Sequence, residues 1–340
     1  LFVRRLQDIE TPALAVDLAS FHYNMETMSA ERPGSSLRPH VKAFKSTAIA
    51  SVLEENGHSS FCCATIREIE GMIEAGHKSD LLLANETLDA SRLGSLVESG
   101  ARVTVAVDSE ATVKVAAEAG IKEVLIDVNV GLPRCGCSLS EVEDLATLAK
   151  RHRLGIRGVM GYEGHLMFTA DKQERSMEVN KAMEILSQAH SIVGGDVISA
   201  GGTGTFDINK FATEIQAGSY LFMDTRYAQI ELPFRECLSV VSNVISIEHD
   251  RKWAVTNAGV KAIGMDYGKP KVEGSIVALC SDEHSTLFPL EGNEKTTLEI
   301  GDVVMMKPSH VDPTIAKHPR ILCMDGEYII DEWPIDLRDW

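Results

Sequence analysis

Short, almost continuously apolar segments recur along the first two thirds of this 340-residue chain, and a helical pattern follows most of them. Uninterrupted apolar runs rich in β-branched residues are typical of strands that are buried on both faces. Eight such segments lie at 37–43, 59–65, 80–85, 102–108, 123–130, 156–164, 196–202 and 219–224. Eight strands that alternate with helices predict an α/β fold, a (β/α)8 TIM-type barrel. A doubly wound open sheet is the competing architecture.

The alternation of strands and helices then stops, and the rest of the chain resembles a series of strands joined by turns, with a hairpin signal at Asp325-Gly326. An all-β C-terminal domain is therefore predicted after the barrel. A further strand-like segment at 12–18 precedes the eight and is assigned to this β domain. The predicted domains are a barrel at 19–235 and a discontinuous β domain made of 1–18 plus 236–340.

The charge balance excludes some partners. The chain has 33 Lys and Arg against 50 Asp and Glu, a net charge of −17, which repels nucleic acids and anionic lipid surfaces. No apolar run approaches the roughly 18 residues that a membrane-spanning helix needs. Seven cysteines without a C-x-x-C pair suit reduced thiols. We expect a cytoplasmic protein that binds neither nucleic acid nor membrane.

Active sites of TIM-type barrels lie at the carboxyl ends of the strands, where two features of this chain fall. Lys42 follows the first predicted strand, with the cation Lys45 nearby; neighbouring positive charge and desolvation both lower an amine's pKa and favour its nucleophilic form. After the seventh strand, Gly202-Thr203-Gly204 offers backbone N–H groups to an anion, and Gly218-Ser219 does so at the eighth. A lysine together with a phosphate cradle suggests pyridoxal phosphate, although a solvated lysine and an ordinary turn are the alternatives.

Three further groups of residues could contribute chemistry. Arg134, after the fifth strand, could contact a cofactor ring or a carboxylate. Glu163 and His165, after the sixth, offer general acid–base catalysis. In the β domain, His310 and Asp312 share a face if the segment is a strand, and a mixed nitrogen and oxygen set suits Mn²⁺, Zn²⁺ or Mg²⁺. Each group has an alternative without function. Arg134 could be a surface residue in a turn, and Glu163 and His165 could be structural. A His-x-Asp triplet is common and usually has no role.

Six motifs occur in an order that resembles one enzyme family. They are ETPALAVD at 10–17, LRPHVK at 37–42, GLPRCG at 131–136, GGTG at 201–204, AGSYLFMD at 217–224 and PSHVDPT at 308–314. The set resembles the D-threonine aldolase and D-serine dehydratase family of pyridoxal phosphate enzymes, which have an alanine-racemase-like fold. The resemblance covers nearly the whole chain.

The resemblance implies a role for each matching residue. Lys42 would form the Schiff base with the cofactor, and Thr203, Gly218 and Ser219 would hold its phosphate. Tyr227 would be a further cofactor contact. The resemblance also implies that His310 and Asp312 are the metal ligands and that the protein is a homodimer. Dehydratase members typically have His-x-Cys, which favours zinc, whereas His-x-Asp is typical of the aldolases and of a hard ion such as Mn²⁺.

This chain departs from the family pattern at two places. Phe44 stands where aldolase members commonly have a second histidine after the Schiff-base lysine. Tyr162-Glu163-Gly164-His165 replaces Tyr-His-Gly-Ser, whose histidine is the family's presumed base, so either Glu163 or His165 is expected to act as the base here.

The predicted function is that of a pyridoxal phosphate- and divalent metal-dependent aldolase. It would cleave D-β-hydroxy-α-amino acids of the D-threonine type to glycine and an aldehyde. A D-serine or D-3-hydroxyaspartate dehydratase, an amino-acid racemase and a pyridoxal phosphate-binding protein without turnover are the alternatives.

Overall fold

The computed structural model describes residues 4–340, which form two compact units. The first, called the β unit, contains residues 4–27 and Ser219–Asp336. The second, called the barrel unit, contains Met28–Gly218 and Leu337–Trp340. The break between the units thus falls at 218/219, whereas the sequence analysis places the boundary at 235/236.

The strands described in residues 4–340 fall into three runs along the chain. The first run is β1 (Arg4–Arg5) and β2 (Ala13–Asp17). The second is β3 (Ser60–Cys63), β4 (Asp80–Leu83), β5 (Val103–Val107), β6 (Glu123–Asp127), β7 (Gly155–Gly161), β8 (Val197–Ala200) and β9 (Glu214–Ile215). The third is β10 (Leu238–Ile247), β11 (Ala254–Thr256), β12 (Lys271–Val272), β13 (Ser275–Cys280), β14 (Ser285–Pro289), β15 (Val303–Lys307), β16 (Arg320–Asp325) and β17 (Tyr328–Pro334).

The α-helices mostly connect the strands of the second run. They are α1 (Leu18–Glu31), α2 (Thr47–Glu55), α3 (Ile66–Glu74), α4 (Ala90–Glu98), α5 (Glu110–Glu118), α6 (Val142–Arg151), α7 (Lys172–Val193) and α8 (Val311–Ile315). Local signals explain several boundaries: the Thr65 hydroxyl accepts the Glu68 N–H at 3.2 Å to begin α3, and Gly76 follows the end of α3 with a φ of 99°. Within residues 4–340, no helix combines the length and the apolar character needed to cross a membrane.

The sheet of the barrel unit contains β3 to β9 in chain order, with every neighbouring pair parallel. The segment 37–40 closes this sheet, because Leu37 bridges to Ile215 at one edge and His40 bridges to Cys62 at the other. Seven strands and one closing segment, with helices between them, confirm the predicted TIM-type barrel. The open doubly wound sheet is therefore not the architecture.

The predicted first and eighth strands differ from the observed ones. The segment predicted as a strand at 219–224 contains the 3-10 helix Ser219–Leu221, and the eighth strand of the barrel is instead β9. The predicted first strand ends early, since Val41–Ala43 is also a 3-10 helix. Both helical turns are apolar and largely buried, and a short buried apolar run does not distinguish a strand from a helical turn.

An ion-pair network, called the Arg38 network, lies inside the barrel towards the amino ends of its strands. The buried Arg38 guanidinium donates to Glu214 at 2.7 and 2.9 Å and to Asp80 at 3.2 Å. Arg157 donates to the same Asp80 carboxylate at 2.8 and 2.9 Å. Buried charges require such partners, so these side chains join the closing segment to β4, β7 and β9.

The β unit is built on one antiparallel-rich sheet in the order β1-β17-β16-β2-β10-β11-β14-β13-β12-β15. A further pairing between β15 and β10 closes six of these strands into a small barrel. The N-terminal strand β2 lies between β10 and β16, and Ala15 packs with Val241, Leu322 and Ile329 in the core. These observations confirm an all-β C-terminal domain after the α/β barrel.

Candidate active site

Lys42 lies in the 3-10 helix that follows the closing segment, beside the carboxyl end of β3. Its neighbours Val41 and Phe44 are fully buried, and Lys42 itself is half-buried. The second cation, Lys45, pairs with the buried Glu68 carboxylate at 2.6 Å. The charge of Lys45 is therefore paired with a carboxylate, and its effect on the Lys42 amine stays a prediction.

The glycine-rich loop, defined as residues 201–209, follows β8 at the same end of the barrel. Gly204 approaches another backbone segment so closely that a Cβ there would lie 2.2 Å from the Met167 carbonyl oxygen. Gly218 is equally confined, since its Cβ would lie 2.5 Å from the carbonyl oxygen of His40, two residues before Lys42. Thr203 is buried between the glycines. Each predicted phosphate motif thus contains a glycine, Gly204 or Gly218, at which neighbouring backbone leaves no room for a side chain.

Glu163 accepts three hydrogen bonds from the glycine-rich loop. Its fully buried carboxylate accepts hydrogen bonds from the Gly201 N–H at 3.0 Å, the Thr205 hydroxyl at 3.0 Å and the Asn209 side-chain amide at 3.1 Å. Both carboxylate oxygens are used by these donors. Glu163, one of the two predicted bases, is thus buried with three donors on its carboxylate, and its role as a base stays a prediction.

Arg134 and His165 each contact a residue of the loop that bears the other. The Arg134 guanidinium lies 5.3 Å from the centre of the Tyr162 ring. His165 is exposed and packs on Gly131, where a Cβ would lie 3.0 Å from the His165 Nε2. The loops after β6 and β7 therefore contact each other through these side chains.

Tyr162 is a residue of this site that sequence analysis does not select. Its ring fills the space over Gly164, where a Cβ would lie 2.4 Å from Cε1, and it lies 3.5 Å from the Cβ position of Gly202. Tyr162 also lines a small cavity together with Asp127, Arg134 and Cys135. The available signal was a single aromatic residue between two glycines in GYEG.

Asp127, at the end of β6, forms part of the same cavity. Burial, followed by the neighbouring Glu86 carboxyl, raises the pKa of Asp127 well above its ordinary value. The charge of Arg134 acts in the opposite direction and lowers the pKa of Asp127.

In the β unit, the two predicted metal ligands adopt a conformation that the sequence analysis does not predict. His310 is the residue before α8 and Asp312 lies in the first turn of that helix, so the two do not share a strand face. The Ser219 hydroxyl donates to the Asp312 carboxylate at 3.4 Å. The structure thus brings a predicted phosphate contact and a predicted metal ligand together.

Two residues that sequence analysis misses surround His310. Its Nδ1 lies 2.5 Å from an Asp266 carboxylate oxygen, and its ring stacks on Tyr267 with ring centres 4.4 Å apart. A carboxylate in contact with one ring nitrogen orients the imidazole and leaves the other nitrogen, Nε2, to face a ligand, as is usual for metal-binding histidines. Asp266 and Tyr267 precede His310 by more than 40 residues and belong to no motif, so the sequence does not indicate this contact.

Asp224 connects the remaining predicted residue to this cluster. Its carboxylate accepts the N–H of Tyr227 at 2.9 Å and that of Val311 at 3.1 Å. Burial raises the pKa of Asp224 to about 6. Tyr227 itself is buried in the 3-10 helix Tyr227–Gln229, and its role as a cofactor contact stays a prediction.

Comparison with known proteins identifies the family. Residues 16–226 match the sequence model described as the alanine racemase N-terminal domain. The chain belongs to this family. Residues 237–324 match the model described as "putative serine dehydratase domain". Together the two matches confirm the resemblance on which the sequence analysis relies.

Relatives of this alanine racemase-like chain are similar over nearly their whole lengths. A D-threonine aldolase of an Arthrobacter species is 29% identical over 361 residues, which cover 98% of this chain and 94% of that one. A 3-hydroxy-D-aspartate aldolase of Paracoccus denitrificans is 29% identical over 367 residues, or 97% and 92% of the two chains. These matches support the prediction that the chain is a lyase-type enzyme of the pyridoxal phosphate fold.

Solved structures agree with the fold. The crystal structure of D-threonine aldolase from Filomicrobium marinum superposes with a TM-score of 0.92 at 28% identity and covers 98% of each chain. D-threo-3-hydroxyaspartate dehydratase from Delftia sp. HT23 superposes with a TM-score of 0.87 at 23% identity and covers 99% of this chain and 100% of that one. At that identity the second structure supports the fold alone.

Proposed function

We propose that the protein is a pyridoxal phosphate-dependent aldolase that cleaves D-β-hydroxy-α-amino acids to glycine and an aldehyde. One observation carries the proposal: a Cβ at Gly218 would lie 2.5 Å from the His40 carbonyl oxygen, so the second glycine motif packs against the segment that leads into Lys42. Relatives that are similar over nearly the whole chain are aldolases acting on D-threonine and 3-hydroxy-D-aspartate.

Residues of the barrel unit, together with Ser219 and Tyr227 of the β unit, are assigned to the cofactor. Lys42 would carry it, and the donors of the glycine-rich loop with Gly218 and Ser219 would hold its phosphate. The loop residues assigned to the phosphate are Gly202, Thr203 and Gly204. Arg134 and Tyr227 are assigned as further contacts of the cofactor. When bound, pyridoxal phosphate supplies an electron sink for the carbanion that cleavage of the substrate bond leaves.

His165 is assigned as the base that takes the proton of the substrate β-hydroxyl. It is exposed, whereas Glu163 is saturated by three hydrogen-bond donors. A group must reach the proton that it removes, and the exposure of His165 supports its assignment over Glu163. Arg134 is assigned as a contact for a substrate carboxylate.

His310 and Asp312 are proposed to hold a divalent metal, with Mn²⁺ as the first choice and Mg²⁺ or Zn²⁺ as alternatives. The contact of Asp266 with Nδ1 supports this role, because it presents Nε2 as a ligand. The chemistry that such an ion supplies is Lewis acidity towards the substrate hydroxyl.

A second candidate function is elimination of water from a D-3-hydroxy amino acid. The match of residues 237–324 to the serine dehydratase model favours it. We retain the aldolase as the first choice because position 312 is Asp, whereas a cysteine at this position is typical of the dehydratases that the sequence resembles.

The test is a panel of D- and L-β-hydroxy-α-amino acids with Mn²⁺, in which aldehyde, keto acid and ammonia are measured separately. The aldolase predicts aldehyde and glycine from the D-isomers. Keto acid with ammonia and no aldehyde would establish the elimination instead.

Changing Lys42→Ala is expected to abolish the absorbance band of the protein-bound cofactor, and a band that persists would contradict the assignment of this lysine.

Two further expectations stay proposals. We infer a homodimer, which light scattering of the purified protein would check, and a cytoplasmic location.

A further inference from the structure

Glu163 has an unusual position for a charged side chain. Its carboxylate is completely buried, yet no Lys or Arg is among the three donors named above. Burial of an ionised carboxylate costs several kcal/mol unless donors replace its lost water. The donors that do so come from both ends of one segment, the glycine-rich loop.

The connections continue through the loop. The Thr205 hydroxyl, which donates to Glu163, also lies 3.3 Å from the Gly202 N–H. The Asn209 amide donates to Glu163 while its oxygen accepts the Ala212 N–H at 3.1 Å. The Glu163 carboxylate thus contacts both ends of the loop, while the buried Arg32 guanidinium donates to the Phe206 carbonyl oxygen at 2.6 and 2.9 Å and also to that of Asn209.

The same residue belongs to the turn that follows β7. Tyr162 precedes Glu163, and the 3-10 helix Gly164–Leu166, which contains His165, follows it. The hydrogen bonds of Glu163 consequently hold this turn and the glycine-rich loop together as one unit.

We propose that Glu163 is a positioning residue that preorganises the glycine-rich loop for the cofactor phosphate. This inference rests on the proposed function, in which the loop binds that phosphate. In this role the carboxylate orders the loop before the cofactor arrives, so that binding does not have to supply the ordering free energy.

The negative charge of Glu163 and its ordering of the loop have opposite effects on phosphate binding, so a test can distinguish them. A carboxylate beneath an anion site repels phosphate, so neutralising Glu163 should strengthen phosphate binding if charge dominates. If the preorganisation of the loop dominates, neutralisation should weaken it. A Gln side chain cannot satisfy the three donors, because its amide nitrogen faces either Gly201 N–H or the Thr205 and Asn209 donors.

The experiment measures the dissociation constants of pyridoxal phosphate and of pyridoxal, which lacks the phosphate, for the full chain. For Glu163→Gln we expect the pyridoxal phosphate constant to rise at least about tenfold, about 1.4 kcal/mol, while the pyridoxal constant changes less than about twofold. An unchanged or tighter constant for pyridoxal phosphate would overturn the proposal. So would an equal weakening of both ligands, which would indicate general damage.

Asp80→Asn is the matched control. It neutralises another carboxylate with several donors, at the amino end of β4. This variant is expected to melt at a lower temperature while keeping the wild-type ratio of the two constants. A ratio shifted as much as in Glu163→Gln would also count against the proposal.

If Glu163→Gln does not fold, Thr205→Val tests the same connection with one hydroxyl removed. It should move the ratio in the same direction by a smaller factor, and Thr205→Ser should restore it; a wild-type ratio in Thr205→Val would refute the inference. The proposed function fails separately, if the wild-type chain does not bind pyridoxal phosphate.

Discussion

The Arg38 network predicts a large loss of stability from one substitution, Arg38→Met. Arg38 is 2% exposed and holds Glu214 with two hydrogen bonds of 2.7 and 2.9 Å. After the substitution Asp80 would keep Arg157, whereas Glu214 would keep only the Ser199 hydroxyl, at 2.6 Å, of the donors described here. One buried carboxylate would thus lose its counter-charge.

Breaking a buried pair by removing one partner costs about 3–5 kcal/mol, because the remaining charge stays buried. We expect a loss of this size in the free energy of unfolding, measured by urea denaturation with far-ultraviolet circular dichroism. Helices α2 to α7 lie within the barrel unit, so the helical signal reports on it. The double variant Arg38→Met/Glu214→Gln should recover part of the loss, since it removes the orphaned charge. A loss below about 1 kcal/mol, typical of exposed pairs, would refute this reasoning.

Three further predictions concern other sites. Gly131→Ala should lower kcat at least about tenfold with little change in cofactor affinity, because its Cβ would push on His165; equal losses in both would contradict the reasoning. Gly204→Ala should weaken pyridoxal phosphate binding and lower the melting temperature, since its Cβ would meet the Met167 backbone, and unchanged affinity would argue against the cradle. Burial lowers the pKa of His58, so the unfolded chain binds more protons than the folded chain does. The free energy of unfolding should therefore fall as the pH drops below about 6.5, by up to about 1.4 kcal/mol per pH unit. His58→Gln should flatten this slope in urea titrations at several pH values, and an unaltered slope would assign it to other groups.

Much of the barrel could be predicted because its strands are short, parallel and buried, which leaves a continuous apolar run in the sequence. β9 escapes this rule: it contains only Glu214 and Ile215, and the charge of Glu214 is buried to pair with Arg38. Pairing across 176 residues of chain leaves no local pattern. The apolar run that follows, from Ser219, has the pattern of the missing strand and forms a helical turn instead.

The candidate site was predictable in residue type and less so in conformation. Lys42 and the glycine motifs could be selected because their chemistry requires those residues at strand ends. For His310 and Asp312, the strand was the wrong expectation, although an Asp followed by Pro313 suits a first helical turn. The role of Glu163 had no sequence signal, because its three donors lie 38 to 46 residues away.

The closing segment connects the stability of the barrel to its proposed chemistry. It forms only isolated bridges with β3 and β9, and its backbone donates from Arg38 N–H to the Ile215 carbonyl at 2.9 Å. The Arg38 side chain adds the ties to Glu214 and Asp80, four residues before Lys42. Because the ordered position of Lys42 depends on this anchor at the opposite end of the barrel, Arg38→Met should weaken pyridoxal phosphate and pyridoxal by the same factor. That pattern separates it from Glu163→Gln, whose effect should depend on the phosphate.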